Sequence, residues 1–416
     1  MKTILDVSLL GQGYYHQKAR TGVFRVVENL ASLLPQISPD LEIIFVDNLD
    51  FLATFGYLNG HFKGQDFKFL NEGFQVSTAK FQNQILSFFP HNSISQKALK
   101  RFFYEVNSKE NNFQTEIINA SNLYHSPYFP IPNQIQKSNK IKKLITIHDL
   151  IPIKYPQFFE NKTDNVVHQI INSIQPDNYA VCVSEATKND LLEISGLDES
   201  QVFVIPLAAS KELFYPVLNQ EIINQTLQKF VIPINQPYFL SISTLEPRKN
   251  IDAIIKSFAD LVLQENIPEL NLVLVGTKGW DFEKIFEAIA ISPQIKERII
   301  FTGYVPDEDL AALYSGAMSF VYMSFCEGFG LPPLEAMQCG TPVICSNTTS
   351  LPEVMGRDAG ILVSPTNHEE ISAAMLKVYH DDKFRDYLKQ QSVQRANLFS
   401  WQKFAFETLE VYQKIG

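Results

Sequence analysis

A glycine-containing turn between two glutamates is the segment of this sequence best suited to hold an anion. It runs Glu327-Gly-Phe-Gly-Leu-Pro-Pro-Leu-Glu335. Its glycines allow a ligand to approach the backbone closely, and its prolines suit the first turn of a helix, where a missing N–H costs little. Free amides and the helix dipole at such a turn favour a diphosphate. Glu335 would lie one turn into the helix, where its carboxylate could accept two hydrogen bonds from a ribose diol. An ordinary glycine-proline loop with a capping glutamate is the alternative.

Two adjacent cations form a second candidate group. Arg248 and Lys249 lie in Ser243-Thr-Leu-Glu-Pro-Arg-Lys-Asn250, between a predicted strand and a helix predicted over Ile251–Gln264. Arginine can bind phosphate through its bidentate fork, and lysine binds it as a point charge. The pair therefore suits a diphosphate leaving group at the carboxyl end of the strand. Two solvated basic residues before a helix are the alternative.

A histidine and a glycine follow two predicted strands of the first half. His148 ends the strand in Thr146-Ile-His-Asp-Leu-Ile-Pro152, and histidine is the side chain most easily switched near neutral pH. Asp149 could orient the ring, and a purely structural histidine is the alternative. After the first strand, Thr21 is predicted to cap a helix and Gly22 to permit close approach at its start.

The acidic triplet Asp307-Glu-Asp309 has the DxD form of a metal-binding motif. It opens a predicted helix after Tyr304-Val-Pro306. Acidic side chains in a first helical turn interact favourably with the helix dipole. We therefore predict helix capping at this triplet and no bound metal.

Short apolar runs alternate with amphipathic stretches along the chain, which predicts an α/β fold with parallel sheets covered by helices. The strands predicted in the first half are Thr3–Leu9, Glu42–Val46, Asn122–His125, Lys143–His148, Tyr179–Ser184 and Gln201–Ile205. Those predicted in the second half are Tyr238–Ser243, Asn271–Val275, Arg298–Phe301, Ser319–Tyr322, Pro342–Cys345 and Gly360–Val363. Two such series predict two Rossmann-like domains that face a cleft, with ligands at the carboxyl ends of the strands.

The predicted divisions of the chain follow from these two series. An N-terminal domain over 1–206 is followed by a proline-containing linker over 207–236 and a C-terminal domain over 237–395. An amphipathic helix within 396–416 could cross back to the first domain. The pattern is weaker between Asp50 and Thr115, which could line an acceptor site or simply form helices and loops that cap the sheet.

Composition excludes several classes of protein. The 416 residues carry a net charge of -10, which argues against nucleic acid as a partner. No apolar run approaches the roughly 18 residues that span a bilayer, and the N-terminal segment predicts a strand rather than a signal peptide. None of the four cysteines forms a CxxC pair, which indicates buried, reduced thiols. We expect a cytoplasmic protein.

The segment from Glu327 to Glu335 resembles the Glu-x7-Glu element of retaining glycosyltransferases of family 4, which have the two-domain GT-B fold. The resemblance covers most of the chain and includes Val183–Leu191, Val204–Pro206, Thr302–Pro306 and Ser400-Trp401. It implies that Glu327 contacts donor-sugar hydroxyls, that Glu335 holds the ribose and that the loop amides hold sugar and phosphate.

The resemblance also assigns the basic turn. Lys249 matches the family's lysine. Thr244 stands where the family usually has arginine, and Arg248 would compensate for that missing arginine, as in a mannosyltransferase-like subgroup. His148 would position sugar hydroxyls or the acceptor. The implied catalytic set is Glu327, His148, Lys249 and Arg248. The implied donor-binding set is Gly22, Thr244, Arg248, Lys249, Tyr304, Val305, Glu327, Gly328, Phe329, Gly330, Leu331 and Glu335.

These residues predict a retaining, metal-independent glycosyltransferase with no cofactor. Its donor would be a nucleotide sugar, and GDP-mannose is the first candidate. The acceptor would be a hydroxyl of a glycan, a lipid-linked molecule or another compound. A sugar-nucleotide epimerase on the same fold and a non-catalytic nucleotide-sugar-binding scaffold are the alternatives.

A lipid-linked acceptor would bring the protein to the inner face of the membrane. A basic cluster from Lys137 to Lys143 is compatible with that, although solvated loop charge is the favoured interpretation. The oligomeric state is left open.

Overall fold

Strands and helices alternate along much of the chain. A computed structural model describes residues 1–15, 20, 22–62, 67–89, 93–107, 113–159, 165–279 and 293–416. Strands β1 to β13 in these ranges are Lys2–Asp6, Glu42–Val46, Lys68–Phe69, Leu123–Ser126, Lys142–Ile147, Tyr179–Cys182, Val202–Val204, Tyr238–Ile242, Asn271–Val275, Ile299–Gly303, Ser319–Tyr322, Val343–Ser346 and Gly360–Val363.

Helices cover the sheets. The α-helices of the described ranges, α1 to α18, are Leu10–Tyr15, Gly22–Ile37, Phe51–His61, Gly73–Ser87, Ile94–Asn107, Thr115–Ala120, Asn133–Gln136, Ile151–Lys154, Val166–Ser173, Glu185–Ser195, Gln220–Lys229, Ile251–Glu265, Asp307–Gly316, Leu331–Gln338, Leu351–Met355, His368–His380, Asp382–Ala396 and Trp401–Ile415.

The strands form two parallel sheets with the same plan. The first has the order β3-β2-β1-β4-β5-β6-β7 and the second β10-β9-β8-β11-β12-β13. Because parallel strands are covered on both faces, their sequences are continuous apolar runs rather than alternating ones; all five residues of β9 are buried. The strand order reverses between β1 and β4 and between β8 and β11, and such switch points are where open sheets bind ligands.

The α/β fold of two Rossmann-like domains is confirmed, with small shifts at strand ends. Strand β1 ends at Asp6 rather than at Leu9, because the Asp6 carboxylate accepts a hydrogen bond from the Ser8 amide and turns the chain into α1. The two-residue strand β3 was missed, since so short a strand has no periodic signal. Helices α3, α4 and α5 occupy much of the weakly patterned stretch after Asp50.

The C-terminal helix crosses back to the first half, as the sequence allowed. Helix α18 packs against α2. The Tyr412 hydroxyl lies 2.6 Å from Nδ1 of His125, and Nε2 of the same ring lies 2.8 Å from Oγ1 of Thr146. Burial lowers the pKa of His125 to about 3, so the ring that makes these two contacts is neutral. The predicted linker contains α11, which packs against α13, and the exact domain divisions stay a prediction.

Two features predicted from composition concern the whole chain. The four cysteines are free and buried. In the part of the chain that the structure describes, no helix combines the length and the apolar character needed to cross a membrane.

Candidate active site

The switch point of the second sheet brings the basic turn and the glutamate turn together. Strands β8 and β11 are neighbours in the sheet, with Phe239 paired to Ser319. Arg248 and Lys249 lie in the turn after β8, and Glu327 lies in the loop after β11. Because parallel strands end at the same edge, residues 78 positions apart in sequence meet at one place.

The Glu327 carboxylate is the centre of a charged network. Its Oε1 lies 2.5 Å from Nζ of Lys249 and 3.1 Å from a guanidinium nitrogen of Arg248. The Tyr322 hydroxyl donates to the same oxygen at 2.7 Å. Arg248 also bonds the Cys326 carbonyl and the Glu246 carboxylate, each at 2.8 Å. These bonds hold both cations and the carboxylate in fixed positions.

The charges of this network determine its protonation. Burial alone raises the pKa of Glu327, but Lys249 and Arg248 outweigh it and bring the pKa to about 2. Burial lowers the pKa of Lys249, and the charge of Glu327 opposes that effect. Glu327 is therefore a carboxylate at neutral pH, set between two cations in a site of low dielectric. Fixed cations in such a site can stabilise negative charge that develops on a leaving group.

The glycine turn is one of the places where the two halves touch. A Cβ on Gly328 would lie 1.9 Å from the carbonyl oxygen of His148, so that only glycine fits. The Ser184 hydroxyl, from the first half, donates to the Gly328 carbonyl at 2.7 Å, and Thr187 donates to it at 3.2 Å. Gly330 has a φ of 111° and precedes helix α14, which begins at Leu331 and has prolines in its first turn, as predicted. The turn thus presents a helix N-terminus at the interface between the halves.

Glu335 lies in α14 and faces the first half. Its Oε1 is 3.5 Å from the guanidinium of Arg25, and its Oε2 accepts a 3.2 Å bond from the Tyr314 hydroxyl. Arg25 also pairs with Asp307 at 2.6 Å. Burial raises the pKa of Glu335 to about 7, although Arg25 opposes the rise. The protonation of this carboxyl is therefore sensitive to pH near neutrality.

His148 is fixed by the backbone rather than by its neighbour. Its Nε2 lies 2.8 Å from the carbonyl oxygen of Pro127, and burial lowers its pKa to about 4. The suggestion that Asp149 orients the ring is wrong, because Asp149 instead accepts a 3.1 Å bond from the Ile151 amide and starts helix α8. His148 thus contacts Gly328 through its backbone carbonyl, while its neutral ring is held at Pro127.

The remaining predicted donor-binding residues surround this point less closely. Gly22 begins α2, and a Cβ on it would lie 2.6 Å from Leu331 across the cleft. Thr244 is exposed in the turn after β8. Tyr304 is largely exposed and Val305 is buried, both directly after β10. Thr21 lies outside the described residues. Phe329 is buried against the edge of Phe399.

The acidic triplet forms the first turn of helix α13 as predicted, but the predicted capping is wrong, because Pro306 is the N-cap residue and no side chain makes a capping bond there. Asp307 pairs with Arg25, and Asp309 pairs with Lys229 at 2.6 Å. These two carboxylates are thus engaged with cations of the protein. The prediction that no metal binds stays a prediction.

Sequence reasoning missed three side chains of the site. Tyr322 bonds both Lys249, at 2.8 Å, and Glu327, and its place in an apolar strand gave no hint of a polar role. Tyr314 was missed for the same reason, as a buried residue of α13. Arg25 pairs with Asp307 and Glu335, which are far away in sequence, and nothing next to it in the chain indicates these partners.

Comparisons with known proteins place this architecture in a family. The model for glycosyl transferases group 1 matches residues 223–395. The O-antigen chain mannosyltransferase B of Escherichia coli is 33% identical over 292 residues, which are 70% of this chain and 74% of that protein. The chain belongs to the group 1 glycosyl transferases. The resemblance to family 4 that the motifs gave is thereby confirmed.

Other similarities of this glycosyltransferase concern part of a longer protein and the fold. The serotype-specific mannosyltransferase WbdA of Escherichia coli is 29% identical over 286 residues, which are 66% of this chain and only 34% of that protein. The crystal structure of Anabaena Alr3699/HepE in complex with UDP and glucose superimposes with a TM-score of 0.67, at 15% identity, over the full length of both chains. That structural likeness shows the same fold.

Proposed function

We propose that this glycosyltransferase moves mannose from GDP-mannose to a hydroxyl of a glycan or lipid-linked acceptor, with retention of configuration and without a metal ion. The choice of mannose is supported by the relatives, several of which are named mannosyltransferases. Retention is supported by the family resemblance of the Glu327–Glu335 segment.

The observation that carries the proposal is the Lys249–Glu327–Arg248 network beside a helix N-terminus at the sheet's switch point. When the bond from the anomeric carbon to the diphosphate breaks, the electron pair leaves with the diphosphate. Lys249, Arg248 and the amides after Gly328 would stabilise that charge. The same cations can do so without a metal ion, which is why we propose metal independence.

The other residues would orient the substrates. Glu327, kept ionised by its cations, would accept hydrogen bonds from hydroxyls of the donor sugar. Glu335 would accept bonds from the ribose. His148, which is neutral and held at Pro127, would position the sugar or the attacking hydroxyl from the first half. Contact of the two halves at Gly328 would exclude water from the reacting atoms.

A panel of nucleotides and nucleotide sugars tests the donor assignment. GDP, UDP, ADP and their sugar conjugates would be added to the protein with and without EDTA, and the thermal midpoint recorded. A ligand at 100 times its dissociation constant stabilises the folded state by about 2.7 kcal/mol. We expect GDP and GDP-mannose to raise the midpoint equally well in EDTA. A shift with UDP alone, or one that needs metal, would overturn the donor or the metal assignment.

Product analysis separates the alternatives. Transfer predicts an α-linked product from the α-linked donor, measured by NMR of the anomeric proton. Consumption of the donor without an acceptor, giving an epimeric sugar, would indicate an epimerase. Donor affinity without any turnover, across a panel of acceptors, would indicate a scaffold.

A further inference from the structure

Helix α4 exposes a row of phenylalanines. Phe74, Phe81 and Phe88 follow one another at seven-residue spacing at the surface of the first half, and they are 80%, 64% and 78% exposed. Residues seven apart lie on one side of a helix. Soluble surfaces carry single exposed apolar residues, whereas a contiguous row indicates an interaction site.

Helix α5 continues this surface. Ile94 and Phe102 are 89% and 58% exposed. The two helices are joined by a 3.2 Å bond from the side-chain amide of Gln96 to the Leu86 carbonyl. We call Phe74, Phe81, Phe88, Phe89, Ile94 and Phe102, with the exposed Lys80, Lys97 and Arg101, the α4–α5 surface.

The charge of this segment is opposite to that of the chain. Residues 73–107 contain four basic residues, Lys80, Lys97, Lys100 and Arg101, and one acidic residue, Glu105, whereas the whole chain carries a net charge of -10. Exposed phenylalanines interspersed with lysines are the composition of helices that lie in the interface of an anionic bilayer. A second copy of the chain would bring the same basic residues face to face, which is unfavourable.

We propose that the α4–α5 surface docks this enzyme on an anionic lipid surface. The phenylalanines would enter the boundary between head groups and acyl chains, and the lysines would contact the head groups. The basic cluster from Lys137 to Lys143 is less suited to this role, because Lys143 is buried and pairs with Asp177 at 2.9 Å.

The α4–α5 surface is connected to the cleft through helix α1. The Tyr14 hydroxyl lies 3.4 Å from Oδ1 of Asn83 in α4, and Nζ of Lys100 lies 4.0 Å from the centre of the Tyr14 ring. Helix α1 in turn contacts α2, which begins with Gly22 opposite Leu331. Docking would therefore place the cleft near the membrane, where a lipid-linked acceptor is held. This last step rests on the proposed function, whereas the docking itself does not.

Sedimentation of the full chain with lipid vesicles tests the docking. The vesicles would be phosphatidylcholine alone or phosphatidylcholine and phosphatidylglycerol in equal parts. We expect the protein to sediment with the mixed vesicles. The variant Phe74→Ser/Phe81→Ser/Phe88→Ser should partition at least about tenfold less. The variant Lys80→Gln/Lys97→Gln should lose about fivefold per lysine on mixed vesicles.

A matched control removes exposed apolar residues elsewhere. The variant Leu218→Ser/Tyr387→Ser/Phe406→Ser changes three exposed side chains outside the surface and should bind mixed vesicles like the natural chain. Thermal midpoints would show that the variants are folded. The proposal would be overturned if the phenylalanine variant bound mixed vesicles as well as the natural chain does, or if the natural chain did not bind them. A dimer that dissociates in the phenylalanine variant would also overturn it and would identify a second copy as the occupant.

The outcome is independent of the proposed transfer reaction. Vesicle binding requires no donor or acceptor, so a wrong donor assignment would leave it unchanged. Conversely, transfer to a water-soluble acceptor should be equal in the natural chain and the phenylalanine variant, because none of the three residues belongs to the proposed catalytic or donor-binding sets.

Discussion

The two halves of this glycosyltransferase share a strand order but contribute differently to the cleft. The second half brings charged side chains, with Lys249, Arg248 and Glu327 bonded to one another at the switch point of its sheet. The first half contributes mainly close packing. The His148 carbonyl lies against Gly328, and the Ser184 hydroxyl donates a hydrogen bond to the carbonyl of the same glycine. Under the proposed function, a common fold would thus separate stabilisation of charge from positioning, and we expect each role to be removable without the other.

The largest expected effect is on the charged side. Glu327→Gln should lower kcat by about 10² to 10³, because the carboxylate that orders Lys249 and Arg248 is lost. Breaking a buried pair also destabilises by about 3–5 kcal/mol. The double variant Glu327→Gln/Lys249→Met removes both charges and should recover thermal stability without recovering turnover. Nearly natural turnover in Glu327→Gln would refute the role of the network.

The next effect tests positioning. In Gly328→Ala the added methyl would meet the His148 carbonyl at 1.9 Å, so the halves would be displaced. We expect turnover to fall about 100-fold, as misplacement of reacting groups by about 1 Å can do, and nucleotide affinity to fall much less, because Lys249, Arg248 and Glu335 are unchanged. Gly73→Ala is the matched control, since no atom lies within 4 Å of its added methyl. An equal loss of nucleotide affinity would contradict the separation of the two roles.

A smaller effect concerns pH and the ribose. Because Glu335 has a pKa of about 7 and ribose hydroxyls would donate to its ionised form, GDP affinity should rise as the pH increases through 7. Glu335→Gln should bind GDP more weakly and independently of pH in calorimetric titrations. The exposed Glu308→Gln on the neighbouring helix should keep the natural dependence.

The same carboxyl affects stability with the opposite sign. Its pKa is raised from 4.5 to about 7 on folding, so the folded chain holds this proton more tightly than the unfolded chain. Its contribution to the free energy of unfolding should therefore fall as the pH rises from about 4.5 to 7. Thermal midpoints of the natural chain and Glu335→Gln should converge at low pH and diverge near neutrality. Parallel pH profiles would show that Glu335 does not titrate there.

The smallest effect lies outside the cleft. Tyr412→Phe removes the 2.6 Å partner of the buried His125 and should lower the free energy of unfolding by about 1–3 kcal/mol. Turnover at a temperature well below the midpoint should stay natural. Tyr387→Phe, which changes an exposed tyrosine of α17, should alter neither quantity in urea unfolding and activity assays.

The sequence predicted the parts of the molecule whose signals are local. Buried parallel strands such as β9 are continuous apolar runs, and the turn before α14 combines a glycine of positive φ with two prolines. The predicted position of Glu335 in that helix is observed.

Contacts between distant residues were beyond local signals. Arg25 and Glu335 are 310 positions apart, and nothing near either residue in sequence specifies the other. Tyr322 sits in an apolar strand whose pattern predicts only burial. Lys143 belongs to a basic run that suggested solvent, yet its ammonium group is buried because Asp177 reaches it. In each case the tertiary fold supplies the partner that determines the role.

The return of helix α18 to the first half limits how the two halves can move. The chain passes between them once before α11 and again before Trp401. Two bodies joined at two points can turn about the line through those points far more easily than they can slide or separate. Such a rotation would open the contact at Gly328 and leave intact the Tyr412–His125 contact, which holds the C-terminal helix to the first half. We therefore expect the C-terminal helix to move with the first half and the chain before Trp401 to act as one part of a hinge.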